Sequence, residues 1–138
     1  MRYFFYGTLM DPAVLAVVIG RHLPPASRQP ASLADVRRVY RAGAHYPILI
    51  PAAGERVEGL LVDGLGAADG RRLDVFEGRD YVAQTASVQP QRGGPVLAWL
   101  FMPRPHVPAS ALTWTPEHWR RHHRRVYFER LLRTGRPS

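Results

Sequence analysis

Glycine and proline divide this chain of 138 residues into short segments, and that division limits the folds it can adopt. The sequence contains 12 glycines and 13 prolines. The segments between them have either the alternating pattern of a β-strand or the spacing of a short helix. The two kinds of segment do not alternate strictly along the chain. The pattern therefore predicts an α+β fold with a strongly curved or closed sheet.

About six strands and three helices are predicted. The strands are at residues 2–6, 33–41, 46–50, 56–62, 81–88 and 96–102, and the intervals 23–30, 51–54 and 103–108 are predicted to be loops or turns. The first helix starts at Asp11-Pro12 and ends near Ile19, the second covers 67–76, and the last starts at Pro116 with Thr115 as its N-cap. The inner face of the last helix is predicted to carry Trp119, Val126, Tyr127 and Leu131.

The composition excludes several classes of chemistry. The chain has no cysteine, which rules out disulfides, thiolate metal sites and thiol nucleophiles. All 19 basic residues are arginine, so a Schiff-base lysine and a Walker lysine are also excluded. Apolar residues make up 46% of the chain, enough for one packed core. A single domain, 1–138, is predicted, with a core at about 1–102 and a C-terminal extension at 103–138.

The ends of the chain suggest a location and one possible partner. No apolar run approaches the roughly 20 residues that span a bilayer, and the first residues do not resemble a signal peptide, so a cytoplasmic location is expected. The net charge is +8, and the last 22 residues contain seven arginines against two glutamates. Such a helix could bind nucleic acid or a partner protein, but a solvated arginine-rich face is the favoured interpretation.

The first candidate site is Tyr6-Gly7-Thr8-Leu9, which lies between a predicted strand and a predicted helix. Gly7 permits a sharp turn, and the successive backbone N–H groups of such a turn can form a nest for an anion. One glycine is too few for a phosphate-binding loop, so a carboxylate is the better ligand. An ordinary strand-to-helix turn fits the same pattern.

The second candidate site is the segment 73–78, followed closely by Tyr81. Its apolar residues anchor a helix that Gly78 ends, which places Glu77 in the last helical turn. The helix dipole disfavours a carboxylate there by about 0.3–1 kcal/mol. This field, together with burial, would raise the pKa of Glu77 and suit it to general acid–base catalysis. Asp74 is the competing carboxylate, and a surface or capping contact is the alternative role for either residue.

Other groups of residues give weaker evidence of a metal site or of a catalytic nucleophile. His118, His122 and His123 have helical spacing that could hold a metal, but no third ligand follows and four arginines lie beside them. The serines lack the context of a catalytic nucleophile. No metal site or cofactor is therefore predicted.

Taken together, the two candidate sites resemble the γ-glutamylcyclotransferase-like (AIG2-like) family. The residues that carry the resemblance, in order, are Tyr6-Gly7-Thr8-Leu9, Tyr46-Pro47, Val57-Glu58-Gly59, the segment 73–78 and Tyr81. The resemblance extends from about residue 3 to residue 102 and does not include the arginine-rich helix. It implies a small mixed β-barrel of about six strands flanked by helices.

The resemblance also implies a reaction: cyclisation of a small γ-glutamyl amide to 5-oxoproline with release of an amine, without a cofactor. In that family Glu77 corresponds to the catalytic glutamate, and Tyr6, Gly7, Thr8, Leu9 and Tyr81 correspond to substrate-binding positions. The Thr8-Leu9 form resembles the AIG2-like, γ-glutamylamine branch more than the glutathione-type branch. A non-catalytic domain that binds a small carboxylate is the alternative, and neither the γ-glutamyl compound nor the oligomeric state follows from the sequence.

Overall fold

The computed structural model describes residues 1–136, which form six strands in one sheet, four α-helices and two short 3-10 helices. The strands are β1 (Tyr3–Phe5), β2 (Arg28–Arg41), β3 (Pro47–Val62), β4 (Tyr81–Pro90), β5 (Val96–Pro103) and β6 (Ala109–Thr113). The α-helices are α1 (Pro12–Ile19), α2 (Ala67–Glu77), α3 (Pro116–His122) and α4 (Arg124–Thr134). The 3-10 helices are Thr8–Met10 and Pro25–Ser27.

Five of the strands close into a mixed barrel. The sheet order is β3-β1-β5-β4-β2-β6, and β2 also pairs with β3, which closes the ring and leaves β6 attached to β2. The β1–β5 pair is parallel and the other pairs are antiparallel. Closure removes the exposed edges that an open sheet would present. The predicted α+β barrel flanked by helices is confirmed.

Strand β1 contributes to both parts of the core because successive side chains point to opposite faces of a strand. Phe4 and Tyr6 join an apolar cluster to which all five barrel strands contribute, which places them on the barrel interior. Tyr3 and Phe5 join a second cluster that contains side chains from the helices, between the barrel and its helical cover. The chain therefore leaves β1 with its next residues at the boundary between these two layers.

Gly59 on β3 allows the close approach of β1 inside the barrel. A Cβ at this position would collide with the carbonyl oxygen of Phe5 and would lie 2.7 Å from Cζ of Phe4. We expect Gly59→Ala to lower the free energy of unfolding by about 1–3 kcal/mol, since a rigid barrel must shift to admit the methyl group. Urea denaturation would measure this, with Gly94→Ala, where a Cβ meets open space, as the control. Equal stability of the two variants would contradict the prediction.

The predicted helix starts and stops are confirmed where they depend on local signals. Asp11 caps α1 by accepting hydrogen bonds from the backbone nitrogens of Ala13 (2.9 Å) and Val14 (3.4 Å), and Gly20 ends the helix with φ of 78°. Thr115 caps α3 through a 3.2 Å bond from the nitrogen of His118.

Several predicted boundaries are wrong. The predicted strands 46–50 and 56–62 are one strand, β3, and the predicted turn between them is a bulge within it. Val36 pairs with Pro51 and Ala34 with Arg56, so residues 52–55 lie opposite Asp35 alone, whose φ is 62°. Asp35 stabilises the bulge by accepting a 2.9 Å bond from the nitrogen of Gly54.

The C-terminal region also departs from the prediction. Strand β6 was not anticipated, and β2 starts at Arg28, within the predicted loop 23–30. The single predicted last helix is divided into α3 and α4 at His123, whose φ and ψ are −124° and −20°. Trp119, Tyr127 and Leu131 are buried as predicted, whereas Val126 is 49% exposed and was wrongly placed on the inner face.

Candidate active site

The segment Tyr6–Leu9 leaves β1 and turns at once into the 3-10 helix Thr8–Met10. The first hydrogen bond of that helix runs from the nitrogen of Met10 to the carbonyl oxygen of Gly7 (3.0 Å). The N–H groups of Gly7, Thr8 and Leu9 precede this bond and have no partner within the helix. Gly7 also lies close to Pro47, because a Cβ at Gly7 would be 3.0 Å from the Cγ of the proline.

Glu77 is the last residue of α2. Leu73 and Phe76 are buried and fix the inner face of the helix, and Gly78 follows with φ of 78°. Within residues 1–136 the Glu77 carboxylate forms neither a hydrogen bond nor an ion pair with another side chain. Although part of the residue remains exposed, burial of the carboxyl group raises its pKa to about 8. The predicted direction of the pKa shift therefore holds, with burial as its cause.

One cavity brings the two predicted segments together. It has about 490 Å³ of empty volume, part of which opens to solvent. We call it the Glu77 cavity; its lining residues are Phe4, Phe5, Tyr6, Gly7, Thr8, Leu9, Tyr46, Pro47, Phe76, Glu77, Tyr81, Phe101 and Tyr127. All six residues predicted for the site are among them. Most of the other lining residues are aromatic, so Glu77 faces a largely apolar enclosure.

Three of the tyrosines that line the Glu77 cavity differ in the hydrogen bonds that their hydroxyl groups form. The Tyr6 hydroxyl donates to the carbonyl oxygen of Phe101 at 2.7 Å, and the Tyr127 hydroxyl bonds with Thr8 Oγ1 at 2.7 Å. The buried Tyr81 hydroxyl has no hydrogen-bond partner among the described residues. The guanidinium of Arg41 lies 5.9 Å from the centre of the Tyr81 ring without reaching hydrogen-bond geometry to the hydroxyl. The Tyr81 hydroxyl therefore has a hydrogen free to donate to a ligand.

Burial raises the pKa of each of these three tyrosines, and the nearby Glu77 carboxylate acts in the same direction. All three hydroxyls stay protonated through the neutral range. They can donate hydrogen bonds but cannot serve as the base at neutral pH. Glu77 is thus the group in the cavity with a pKa suited to proton transfer near neutral pH.

Arg38 on β2 stabilises the start of the Tyr6–Leu9 loop through hydrogen bonds to backbone carbonyl groups. Its Nη1 donates to the carbonyl oxygens of Tyr6 (2.8 Å) and Glu58 (2.9 Å), and its Nε donates to that of Trp114 (3.2 Å). Burial lowers the pKa of Arg38, although the group remains charged at neutral pH. These bonds connect the loop to β3 and to the segment after β6.

The contributions of Tyr127 and Arg38 to the site were not predicted from the sequence. Tyr127 was predicted only as a core residue, yet it lines the cavity and anchors Thr8 from α4. The signal was an aromatic residue with a polar end on the inner helix face, a type that seeks a hydrogen-bond partner when buried. Arg38 had no signal of its own, because arginines are frequent throughout this chain.

Two arginines of α4 outside the cavity have structural contacts. Arg124 bonds with Asp11 (2.6 Å) and so ties α4 to the start of α1, and Arg125 pairs with Glu129 at 3.4 Å. In the part of the chain that the structure describes, no group of three His, Cys, Asp or Glu side chains is arranged to hold a metal. No helix of that part is long and apolar enough to cross a bilayer.

Two curated relatives of this sequence come from Arabidopsis thaliana. Protein AIG2 C is 34% identical over 85 residues, which are 62% of this chain and 50% of that protein. AIG2-like protein D is 33% identical over 85 residues, or 62% and 54% of the two chains. The matched segment thus spans about half the length of these relatives.

Solved structures share the fold over almost the whole chain. A solution structure of an A. thaliana protein has a TM-score of 0.68 at 26% identity and covers 96% of this chain and 79% of its own. A structure titled gamma-glutamyl cyclotransferase has a TM-score of 0.60 at 14% identity, with 97% and 86% covered, and shows likeness of fold alone. The family model "Gamma-glutamyl cyclotransferase, AIG2-like" matches residues 3–121. Since this match covers far more than half of the chain, the protein belongs to the gamma-glutamyl cyclotransferase, AIG2-like family.

Proposed function

We propose that the protein cyclises a small γ-glutamyl amide to 5-oxoproline and releases the amine. The observation that carries this proposal is the position of Glu77. Its carboxyl group has a pKa of about 8 and lies in the same cavity as the Tyr6–Leu9 loop. A carboxylate with this pKa can take a proton from an amine and return it within one reaction. Membership of the family agrees with this chemistry.

The loop supplies the binding half of the proposed site. The N–H groups of Gly7, Thr8 and Leu9, which precede the first helical hydrogen bond, are suited to the α-carboxylate of a γ-glutamyl group. The unpartnered hydroxyl of Tyr81 is a further donor. Donors fixed in advance lose little entropy when the substrate binds. Arg38, through its bond to the carbonyl oxygen of Tyr6, keeps the loop in place as a positioning residue.

In the proposed reaction, Glu77 takes a proton from the α-ammonium group of the substrate. The freed amine attacks the γ-carbonyl carbon, so a new C–N bond closes the five-membered ring. The tetrahedral intermediate then collapses: the original amide C–N bond breaks, and the protonated Glu77 gives its proton to the leaving nitrogen. The ring nitrogen loses its second proton to the released amine, which leaves as an ammonium ion. No water is consumed and no group is oxidised. Because nucleophile and carbonyl belong to one molecule, holding the substrate folded supplies much of the rate.

The aromatic wall has a defined part in this scheme. Phe5, Phe76 and Phe101 line the cavity together with the tyrosines. A low-dielectric wall strengthens the interaction between the Glu77 carboxylate and the ammonium group. It also limits the access of water, whose attack on the amide would give glutamate in place of the cyclic product.

The test is a 5-oxoproline release assay over γ-glutamyl amines, γ-glutamyl dipeptides and glutathione. We expect release of 5-oxoproline and an equal amount of free amine from at least one member, without added metal. Glutamate as the product would contradict the proposal, because it requires hydrolysis. Binding of the panel without any product would favour the non-catalytic carboxylate-binding domain.

A further inference from the structure

A second depression, which we call the Arg130 cleft, adjoins the Glu77 cavity. One side of it is formed by the end of β2 at Arg41 and by residues 42–46, which join β2 to β3, and the other side by helix α4. Tyr46 and Tyr127 line both the cavity and the cleft. By contrast, an apolar groove between α1, α2 and α4 shares only the buried Phe76 with the cavity. The cleft is therefore the side on which a substrate longer than a γ-glutamyl group can extend past Glu77.

The charges of the cleft are of one sign. Among the described residues, the charged side chains that line it are Arg41 and Arg130, and none of the lining side chains is acidic. Arg41 forms an ion pair with Asp80 at 2.8 Å, which offsets its charge but leaves other N–H donors of its guanidinium for a ligand. The net positive charge of the cleft therefore comes from Arg130. The exposed guanidinium of Arg130 forms no ion pair with any residue in the described range 1–136. The adjacent Glu129 is already paired with Arg125.

The wall of the cleft is fixed before a ligand arrives. The indole nitrogen of the fully buried Trp114 donates to the carbonyl oxygen of His45 at 3.0 Å. The nitrogen of Ala42 donates to the carbonyl oxygen of Pro108 at 2.9 Å. On the other side, the bond of Tyr127 to Thr8 holds α4 against the substrate loop. An anion entering the cleft therefore meets a fixed backbone wall, with the exposed Arg130 side chain on the facing helix.

We propose that the Arg130 cleft receives the amine portion of the substrate and selects amines that carry an anionic group. Arg130 is the specificity-determining residue, and Arg41 is a second donor. This inference rests on the proposed function and deepens it, because it names the charge class of the released amine. An amine with a carboxylate or sulfonate close to the amide nitrogen fits the cleft, whereas a second cationic group on the amine is repelled by Arg130.

Binding to the Glu77→Gln protein tests the inference without turnover. The ligands are γ-glutamylglycine, γ-glutamyltaurine and the neutral γ-glutamylglycinamide, measured by calorimetry. We expect the two anions to bind about three- to tenfold more tightly than the glycinamide. Adding Arg130→Gln should remove this preference and leave the dissociation constant of the glycinamide unchanged. Arg133→Gln, on the same helix but outside the cleft, is the matched control and should retain the preference.

The outcomes separate this inference from the proposed function. Equal affinities for the three ligands, no binding of any, or a preference that survives Arg130→Gln would overturn the inference. Tighter binding of γ-glutamylglycine but not of γ-glutamyltaurine would support the inference for carboxylates and exclude sulfonates. In parallel, the wild-type protein is assayed for 5-oxoproline. An anion preference without product leaves the anion selectivity of the Arg130 cleft standing and refutes the cyclotransferase proposal, while product without a preference does the reverse.

Discussion

Glu77→Gln is expected to lower the rate of 5-oxoproline formation by about a hundredfold to ten-thousandfold, the range attributed to general acid–base catalysis. Glutamine keeps the shape of the side chain but cannot take the proton of the α-ammonium group. Within residues 1–136 no other carboxylate lines the Glu77 cavity. Three of the tyrosines there, Tyr6, Tyr81 and Tyr127, cannot replace Glu77, because burial raises their pKa. The measurement is single-turnover release of the product with saturating enzyme.

Glu77→Gln should affect the affinity for a γ-glutamyl ligand much less than it affects turnover. The groups proposed to hold the substrate are the loop N–H groups and the Tyr81 hydroxyl, none of which Glu77→Gln alters. We expect the dissociation constant of a γ-glutamyl ligand to change by less than about fivefold, which corresponds to loss of less than about 1 kcal/mol. The matched control is Asp74→Asn, an exposed carboxylate one turn earlier on the same helix, which should keep full activity. Full activity of Glu77→Gln, or its loss in Asp74→Asn, would remove Glu77 from the proposed mechanism.

The parts of the fold that local chemistry determines could be predicted from the sequence. Asp11-Pro12, Gly20, Thr115 and Gly78 are helix boundary signals that act within a few residues, and helices begin or end at each of them. A cap satisfies backbone groups that no distant residue has to supply. The same locality explains why the order of strands and helices was predicted for most of the chain.

The errors lie where distant residues decide the local conformation. Residues 51–54 carry turn-forming residues, but pairing with β2 keeps them within one strand, and the excess residues form a bulge opposite Asp35. Strand β6 forms because it pairs with β2, which precedes it by about 70 residues, and its five residues have no strong pattern of their own. Long-range pairing of this kind is not encoded in a short window.

The candidate site, like the fold, has features that could be predicted from the sequence and features that depend on tertiary packing. Its six residues were predicted from the turn at Gly7, the end of the helix before Gly78 and the family resemblance together. Of the two causes predicted for a raised pKa of Glu77, burial is the one that acts in the structure. The sequence could not show that Tyr127, far along the chain, closes the cavity by bonding with Thr8. Nor could it show that Tyr81 lacks a hydrogen-bond partner among the described residues. Both depend on how α4 and β4 pack against the loop, which is a property of the tertiary structure.

The second prediction with a large expected effect concerns pH. Because burial raises the pKa of Glu77 to about 8, most of this carboxyl group is protonated at neutral pH and unable to act as a base. We expect kcat/KM to rise about tenfold per pH unit between pH 5.5 and 7.5 and to level off near pH 8. Asp74→Asn should give the same profile. A plateau that begins below pH 6 would show that the essential base is an ordinary carboxylate.

The same pKa shift must appear in stability, which provides a check that does not depend on any substrate. Burial raises the pKa of Glu77 from its ordinary value of 4.5 to about 8, so the folded protein binds this proton more tightly than the unfolded chain. The stability that follows is fully present below pH 4.5 and is lost as the pH rises towards 8. Glutamine is neutral at every pH, so the thermal midpoint of Glu77→Gln should rise relative to the wild-type midpoint across this interval and stay constant above it. Asp74→Asn should show no such trend. A midpoint difference for Glu77→Gln that is independent of pH would mean that the carboxyl group titrates near its ordinary value.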